Sequence, residues 1–270
     1  MVEMLAFAMA VFIGFLLGLF GGGGSMIAVP VFIYILGFEP NISITYSLFV
    51  VGSSALIGNL LYLKQGQVQY KTAITFVLPS ILAVFIVRKL LLPVIPHELV
   101  KIMGIPIYKE KMLMVLFALL MVFSGIQMMR NQSQDQNYTG AKEGFKKNPW
   151  IILIAGIVVG ILTGLVGSGG GFMIVPSLVL FAGLPLKKAI GTSLMVIGIN
   201  AAVGFFADVL GGVKIDWYFL LPFSLLAFAG IFAGSILSRK IHANKLKPLF
   251  GWFELILGML IVVKEILLSK

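Results

Sequence analysis

The chain has no cysteine, only two histidines and few charges: 11% of its 270 residues are Asp, Glu, Lys or Arg. Without cysteine there are no disulfides, no thiolate metal sites and no cysteine nucleophile. His97 and His242 lie in charged connections far apart in sequence, so neither a metal site nor a bound cofactor is expected. The scarcity of charge excludes an ordinary soluble domain, in which about a quarter of residues are charged. Acidic residues are the rarer sign, ten against twenty Lys and Arg, for a net charge of +10. That basic excess sits in short loops between apolar runs, which fits the loops of a membrane protein and not a nucleic-acid surface.

What the chain has instead is apolar length. Hydrophobic residues make up 60% of it and the mean hydropathy is +1.08. Runs such as Met112 to Met129 and Ile151 to Val166 contain no charge at all. A bilayer core of about 30 Å is crossed by about 20 apolar residues in a helix, so the expected fold is an all-α polytopic protein of the cell membrane. No basic stretch precedes the first apolar segment, which is therefore expected to be a retained helix and not a cleaved leader.

Two breaks interrupt the apolar background: Gly21-Gly22-Gly23-Gly24-Ser25 and Gly167-Ser168-Gly169-Gly170-Gly171. A glycine costs about 1 kcal/mol against alanine inside a helix, so a run of them stops one. The breaks lie 146 residues apart, and the same offset carries Gly14, Gly18, Val29 and Pro30 onto Gly160, Gly164, Val175 and Pro176. It continues through Gly37, Ile44, Ser47, Leu48, Gly52, Gly58 and Gly66 onto Gly183, Ile190, Ser193, Leu194, Gly198, Gly204 and Gly212. The chain is an internal duplication. Its halves are residues 1–130 and 149–270, divided by the polar linker 131–148.

Each half reads as five apolar segments, near 4–20, 26–37, 43–63, 72–92 and 111–130, then near 149–166, 172–183, 188–208, 217–237 and 247–266. The second segment of each half gives only about 18 Å of helix, too short to cross alone. Segments one and two are therefore expected to form a hairpin that turns at the glycines within the membrane. If each hairpin returns the chain to its starting side, one face carries twelve basic residues against Asp135 and Glu143, and the other carries eight against seven acids. If each pair crosses only once, the basic residues split nine to eleven. The positive-inside rule thus predicts two inverted repeats of five segments, with both termini extracytoplasmic and the linker cytoplasmic.

Inverted repeats that each carry a broken helix at the same place point to a secondary transporter with its site at the repeat interface. A helix starting at Met26 or Phe172 leaves its first N–H groups without partners and adds about half a positive charge there. Bare glycine backbone lets an anion reach those donors. The competing reading is that glycines let helices pack closely, and for the isolated Gly14, Gly18, Gly160 and Gly164 it is the preferred one. A nucleotide-binding loop is excluded, because no Gly-Lys-Ser/Thr follows either cluster.

The paired patterns G-L-F-G-G-G-G-S-x3-P and G-L-V-G-S-G-G-G-x4-P, with Gly191-Thr192-Ser193-Leu194 after the second, resemble the TauE/SafE family of sulfite and organosulfonate exporters. The resemblance covers nearly the whole chain. It implies a carrier of sulfur-containing anions driven by the proton-motive force. It also implies glycine loops at Gly21 to Ser25 and Gly167 to Gly171, and a Thr-Ser motif at Thr192 and Ser193. In the first half that motif is Tyr46-Ser47, with Thr45 one residue earlier, and the stretch Glu98 to Ile107 has no counterpart in the second half.

Other polar residues extend the candidate site. Thr45, Ser47, Thr192 and Ser193 fall near the starts of third segments, where a hydroxyl can cap a helix or bind an oxyanion. Ser54 and Asn200 are register mates deeper in those segments, suited to ligand contact or to holding helices together. Glu254, about eight residues into the last segment, is a candidate for proton coupling, with a snorkelling or locally paired carboxylate near Trp252 as the alternative. Asp208 and Asp216 are expected to be solvated at segment ends, and no Lys or Arg is expected in the middle of a span.

The function expected is therefore secondary transport of a small oxyanion, most specifically sulfite or an organosulfonate, by alternating access at the midplane. An anion channel using the same glycine sites, or a carrier of sulfate or thiosulfate, is the alternative. No paired carboxylates or Ser-His constellation lie in the spans, so an enzyme is not expected. The expected partners are the anion and the lipid bilayer.

Overall fold

The structure, a computed structural model, describes residues 2–91, 94, 98–102, 105–130, 149–166 and 171–264. The first half runs α1 (Val2–Phe20), α2 (Gly23–Pro30), α3 (Pro40–Leu63), α4 (Tyr70–Ile86) and α5 (Lys109–Arg130). The second runs α6 (Pro149–Val166), α7 (Gly171–Leu180), α8 (Leu186–Leu210), α9 (Trp217–Lys240) and α10 (Ala243–Val263). α2 and α4 each continue as a wider π-helical turn, Val31–Ile35 and Val87–Leu91. In α2 the widening starts right after Pro30, which has no N–H to give the regular ladder.

One short piece is not helical. β1 (Glu98–Ile102) and β2 (Ile105–Tyr108) pair antiparallel between α4 and α5, on the stretch that has no counterpart in the second half. Everything else in the described residues follows the expected all-α membrane architecture. Among the described residues six helices are long and apolar enough to cross a membrane, while α1, α6 and the α2 unit are shorter apolar helices. The outward faces are as apolar as the core: Leu82, Phe123, Leu225 and Leu260 are all at least 60% exposed. A helix hydrophobic all round belongs in lipid.

Glycines set how the helices meet. A Cβ on Gly14 would overlap the Ala227 carbonyl, and one on Gly18 would lie 2.7 Å from the Ser235 amide, so α1 lies in backbone contact with α9. The register mates Gly160 and Gly164 do the same for α6 on α4, 2.6 Å from Ser80 O and 2.8 Å from Val87 Cβ. Both pairs run parallel, since residue numbers rise together along the contact. α3 and α8 run antiparallel, with Gly52 against Ala201 and Gly198 against Leu56. α5 and α10 are antiparallel as well, with Gly125 against Gly251 and Gly258 against Val122.

The contacts exchange when the halves are exchanged. α1 on α9 becomes α6 on α4, and α3 on α8 becomes itself. Hydrogen bonds repeat the relation. The Asp216 amide donates to the Tyr46 hydroxyl at 2.8 Å, and the Gln69 amide to the hydroxyl of Thr192, the mate of Tyr46, at 3.0 Å. The turn glycines Gly37 and Gly183, and Gly66 and Gly212, are mates that all hold a positive φ between 55° and 91°.

Candidate functional site

The first glycine break is a tight turn and then a helix. Gly21 closes α1 with its amide on Leu17 O at 2.8 Å and takes φ +72°, a backbone that a side chain would resist. Gly22 caps α2, whose first residues are Gly23 and Gly24. The helix therefore starts three residues earlier than Met26, and α7 starts at Gly171, one before Phe172. Gly24 is helical because α2 folds straight back on α1: a Cβ there would overlap the Ile13 carbonyl. The early amides of α2, those of Gly23 and Gly24, have no acceptor within the helix. Ser25 turns inward, its hydroxyl donating to Gly22 O at 2.7 Å.

The starts of α2 and α7 touch. A Cβ on Gly22 would overlap the Gly171 carbonyl, and one on Gly171 would lie 2.6 Å from Ser25 Oγ and 2.9 Å from Ile197 Cδ1. Ser193 ties α8 to this junction, donating to Gly21 O at 3.0 Å and to Ile190 O at 2.7 Å. It lies seven residues past Leu186, about 10 Å along α8. Gly21, Gly22, Gly23, Gly24, Ser25, Gly171 and Ser193 are all buried and form one cluster between the halves. Gly167, Ser168, Gly169 and Gly170 lie outside the described residues.

The remaining hydroxyls divide between this cluster and the ends of α3 and α8. Ser47 back-bonds to Ile44 O at 2.8 Å, the match of Ser193 on Ile190. Among the described residues the fully buried Ser54 has no hydrogen-bond partner, and the Asn200 amide donates to Ser80 while its Oδ1 has none. Both sit where α3 crosses α8. Thr192 accepts the Gln69 amide near the start of α8, and Thr45 lies near the start of α3, where it donates to Asn41 O and Asp208 Oδ2 at 3.1 and 2.8 Å.

Asp208 corrects the sequence reading. Its side chain is 15% exposed and accepts from Arg88 Nη1 through both oxygens, at 2.8 and 2.6 Å. Arg88, counted by sequence among the outer-face charges, is buried in the π-turn that ends α4, its side chain 4% exposed. It lies over Gly204, whose added Cβ would be 3.6 Å from Arg88 Cδ. An Arg in the last turn of one span and an Asp in the last turn of another were both visible in sequence. That the spans pack together was not. Asp216 stays exposed as expected, capping α9 through the Tyr218 and Phe219 amides.

Glu254 lies eleven residues into α10 and is fully buried, which removes the snorkelling alternative. Its polar neighbour is Ser124 on α5, yet neither carboxylate oxygen has a hydrogen-bond partner among the described residues. A separate cavity of about 480 Å³, lined mainly by aromatic and aliphatic groups such as Phe7, Phe38 and Phe219 with Asp216 at its edge, lies away from the glycine cluster.

Comparison with known proteins adds a family to this geometry. The family described as sulfite exporter TauE/SafE matches residues 6–261. A probable membrane transporter protein of Xylella fastidiosa (strain 9a5c) is 28% identical, with 93% of this chain and 91% of that protein covered. A second, from Haemophilus influenzae, is 30% identical over 86% of this chain and 84% of its own length. The probable membrane transporter protein MJ0441 of Methanocaldococcus jannaschii is 26% identical, with 91% and 89% covered. No solved structure matches. The glycine-broken helices that meet between the two halves are thus carried by a chain that belongs, over nearly its whole length, to the TauE/SafE sulfite exporter family of membrane transporters.

Proposed function

We propose that this protein is a secondary carrier of a small sulfur-containing oxyanion, sulfite or an organosulfonate, by alternating access at the junction of α2 and α7. The observation that carries this reading is the meeting of two short helix starts, one from each half, with Ser25 and Ser193 beside them. Helix starts present N–H donors and a partial positive charge to an anion. Neutral donors also release an anion more readily than a buried lysine would, as a carrier requires. The direct contact of Gly22 with Gly171 favours a carrier, whose pathway closes at its site, over an open pore.

The antiparallel packing of the mated helices α3 and α8 supports inverted repeats: two mates that run antiparallel side by side are related by an axis across the helices, in the membrane plane. With the charge bias of the loops, that puts both termini outside and the linker 131–148 in the cytoplasm. Cysteines introduced at the termini are expected to react with an impermeant reagent on intact cells, and one in the linker to be spared. Termini on opposite sides would defeat this arrangement.

Glu254 is the coupling group in this reading: a buried acid that has only Ser124 as a polar neighbour among the described residues binds a proton and releases it when the helices around it rearrange. Glu254→Gln is expected to bind the anion normally and to lose the response of flux to a pH gradient. Retained coupling in that variant rules Glu254 out.

The central test is Gly23→Ala. The added methyl would lie 3.0 Å from the Phe20 ring, 3.3 Å from Phe20 Cβ and 3.5 Å from Leu16 O, a smaller intrusion than at Gly22 or Gly24, where it would overlap a carbonyl. It does cover the first donors of α2. Sulfite flux into liposomes is expected to fall at least about tenfold, about 1.4 kcal/mol, with the melting temperature little changed. Saturable flux with counterflow separates carrier from channel. Full sulfite binding in Gly23→Ala would falsify the assignment of the site.

A further inference from the structure

We propose that Arg88 forms a second anion site, at the end of the α3/α8 pair where Thr45 and Asp208 lie, and that the Asp208 carboxylate occupies it until a small oxyanion takes its place. The inference rests on the carrier reading above and adds to it a cationic site that the glycine cluster lacks.

The first support is the geometry of the pair. A guanidinium normally holds a carboxylate with two parallel N–H bonds, one from each of two nitrogens. Here both Asp208 oxygens share Nη1, at 2.8 and 2.6 Å, and the buried Nε has no hydrogen-bond partner among the described residues. A buried donor left without an acceptor is destabilising. Nε–H points to the Nη2 edge, away from the nitrogen that Asp208 uses, so an oxyanion that displaces the carboxylate can take Nε and Nη2 together, which the carboxylate in this pose does not. The second support is Thr45. Its hydroxyl donates to Asp208 Oδ2 at 2.8 Å, so the carboxylate already sits between a guanidinium and a hydroxyl. A trigonal or tetrahedral oxyanion would take the same donors.

The third support is the other end of the same helix pair. By the 146-residue register, Thr45 corresponds to Gly191 and Asp208 to Tyr62. There the mates meet as well: a Cβ on Gly191 would lie 3.1 Å from Tyr62 Cβ, and the Tyr62 hydroxyl donates to Gly18 O at 2.7 Å. That end is closed with neutral groups. The scaffold therefore does not need an ion pair to join these helices, and a buried ion pair is in general weak evidence of a stabilising role. An ion pair kept at only one of two equivalent places, while the other has a tyrosine hydroxyl on a carbonyl with Arg239 nearby, fits a ligand that arrives there. Thr45 lies five residues into α3 and Asp208 two residues from the end of α8, within about 8 Å of the helix ends, so the site stands near one mouth of the bundle.

The test uses the full chain in a maltoside detergent, which has no phosphate, so that added sulfite is the oxyanion offered. Sulfite affinity and the sulfite-dependent rise in melting temperature are measured for wild type, Asp208→Asn and the double variant Arg88→Gln/Asp208→Asn. Asp208→Asn frees Arg88 and is expected to bind sulfite at least about fivefold more tightly than the double variant, and to gain more in melting temperature from it. Equal affinity in these two variants overturns the proposal, since they differ only in Arg88. If Asp208→Asn does not fold, the double variant decides: weaker sulfite binding than wild type supports the site, and binding equal to wild type overturns it. Gly23→Ala measured in parallel reports on the glycine cluster alone, so either site can fail without the other. A wild-type protein that binds no sulfite, with Asp208→Asn equally silent, overturns both.

Discussion

At one end of the α3/α8 pair, Thr45 donates to Asp208 and Asp208 pairs with Arg88; at the other, the corresponding residues are Gly191 and Tyr62, and the Tyr62 hydroxyl reaches the carbonyl of Gly18. The backbone problem is the same at both ends, since a long antiparallel helix pair must be joined to the helices beside it. The two halves share one backbone solution. The Tyr46 and Thr192 hydroxyls, which accept loop amides one residue apart in register, show it most directly. Side chains then diverged on that shared frame. One end depends on charge and the other on neutral hydrogen bonding, so their disruption has different costs.

The sharpest way to break the comparison is Asp208→Ala. It leaves Arg88 buried without its counter-ion, a loss of about 3–5 kcal/mol in systems of this kind. A large drop in melting temperature is expected, mostly recovered in Arg88→Met/Asp208→Leu, where both charges are gone. A drop that the double variant does not recover would show that the ion pair itself stabilises the fold.

A middle-sized effect tests the frame and not its decoration. Gly14→Ala and Gly160→Ala each push a methyl into the backbone of the neighbouring helix, α9 in one half and α4 in the other. Overpacking of this kind costs about 1–3 kcal/mol. The two variants are expected to lose similar stability while binding sulfite as wild type does. If one is tolerated and its mate is not, the halves are less alike than their contacts indicate.

The smallest effect belongs to the neutral end. Tyr62→Phe removes one hydrogen bond, worth about 0.5–1.5 kcal/mol. A penalty as large as that of Asp208→Ala would erase the distinction between the two ends.

Much of this was legible in the chain before folding. The apolar runs, the offset of 146 and the glycine breaks determined the membrane class, the ten helical segments and the two short helices behind the breaks. These features are local: bilayer thickness sets helix length, and glycine ends a helix wherever it falls in a row. Even so, the row misled in detail. Gly23 and Gly24 belong to the helix and not to the break, and at Gly24 the close packing of α2 on α1 demands glycine for a different reason.

Which faces meet was settled by packing alone. In a soluble helix an apolar stripe marks the buried side, but here lipid-facing and protein-facing surfaces are both apolar, so the sequence carries no stripe to read. The pairing of α4 with α8 therefore could not be foreseen, nor could the ion pair between Arg88 and Asp208, 120 residues apart. The contact of Gly22 with Gly171 and the complete burial of Glu254 between α5 and α10 are decided in the same way. Sequence determined where the helices run along the chain to within a few residues, because that is a contest between backbone and bilayer. Packing determined which polar groups share a site, because that depends on neighbours far along the chain.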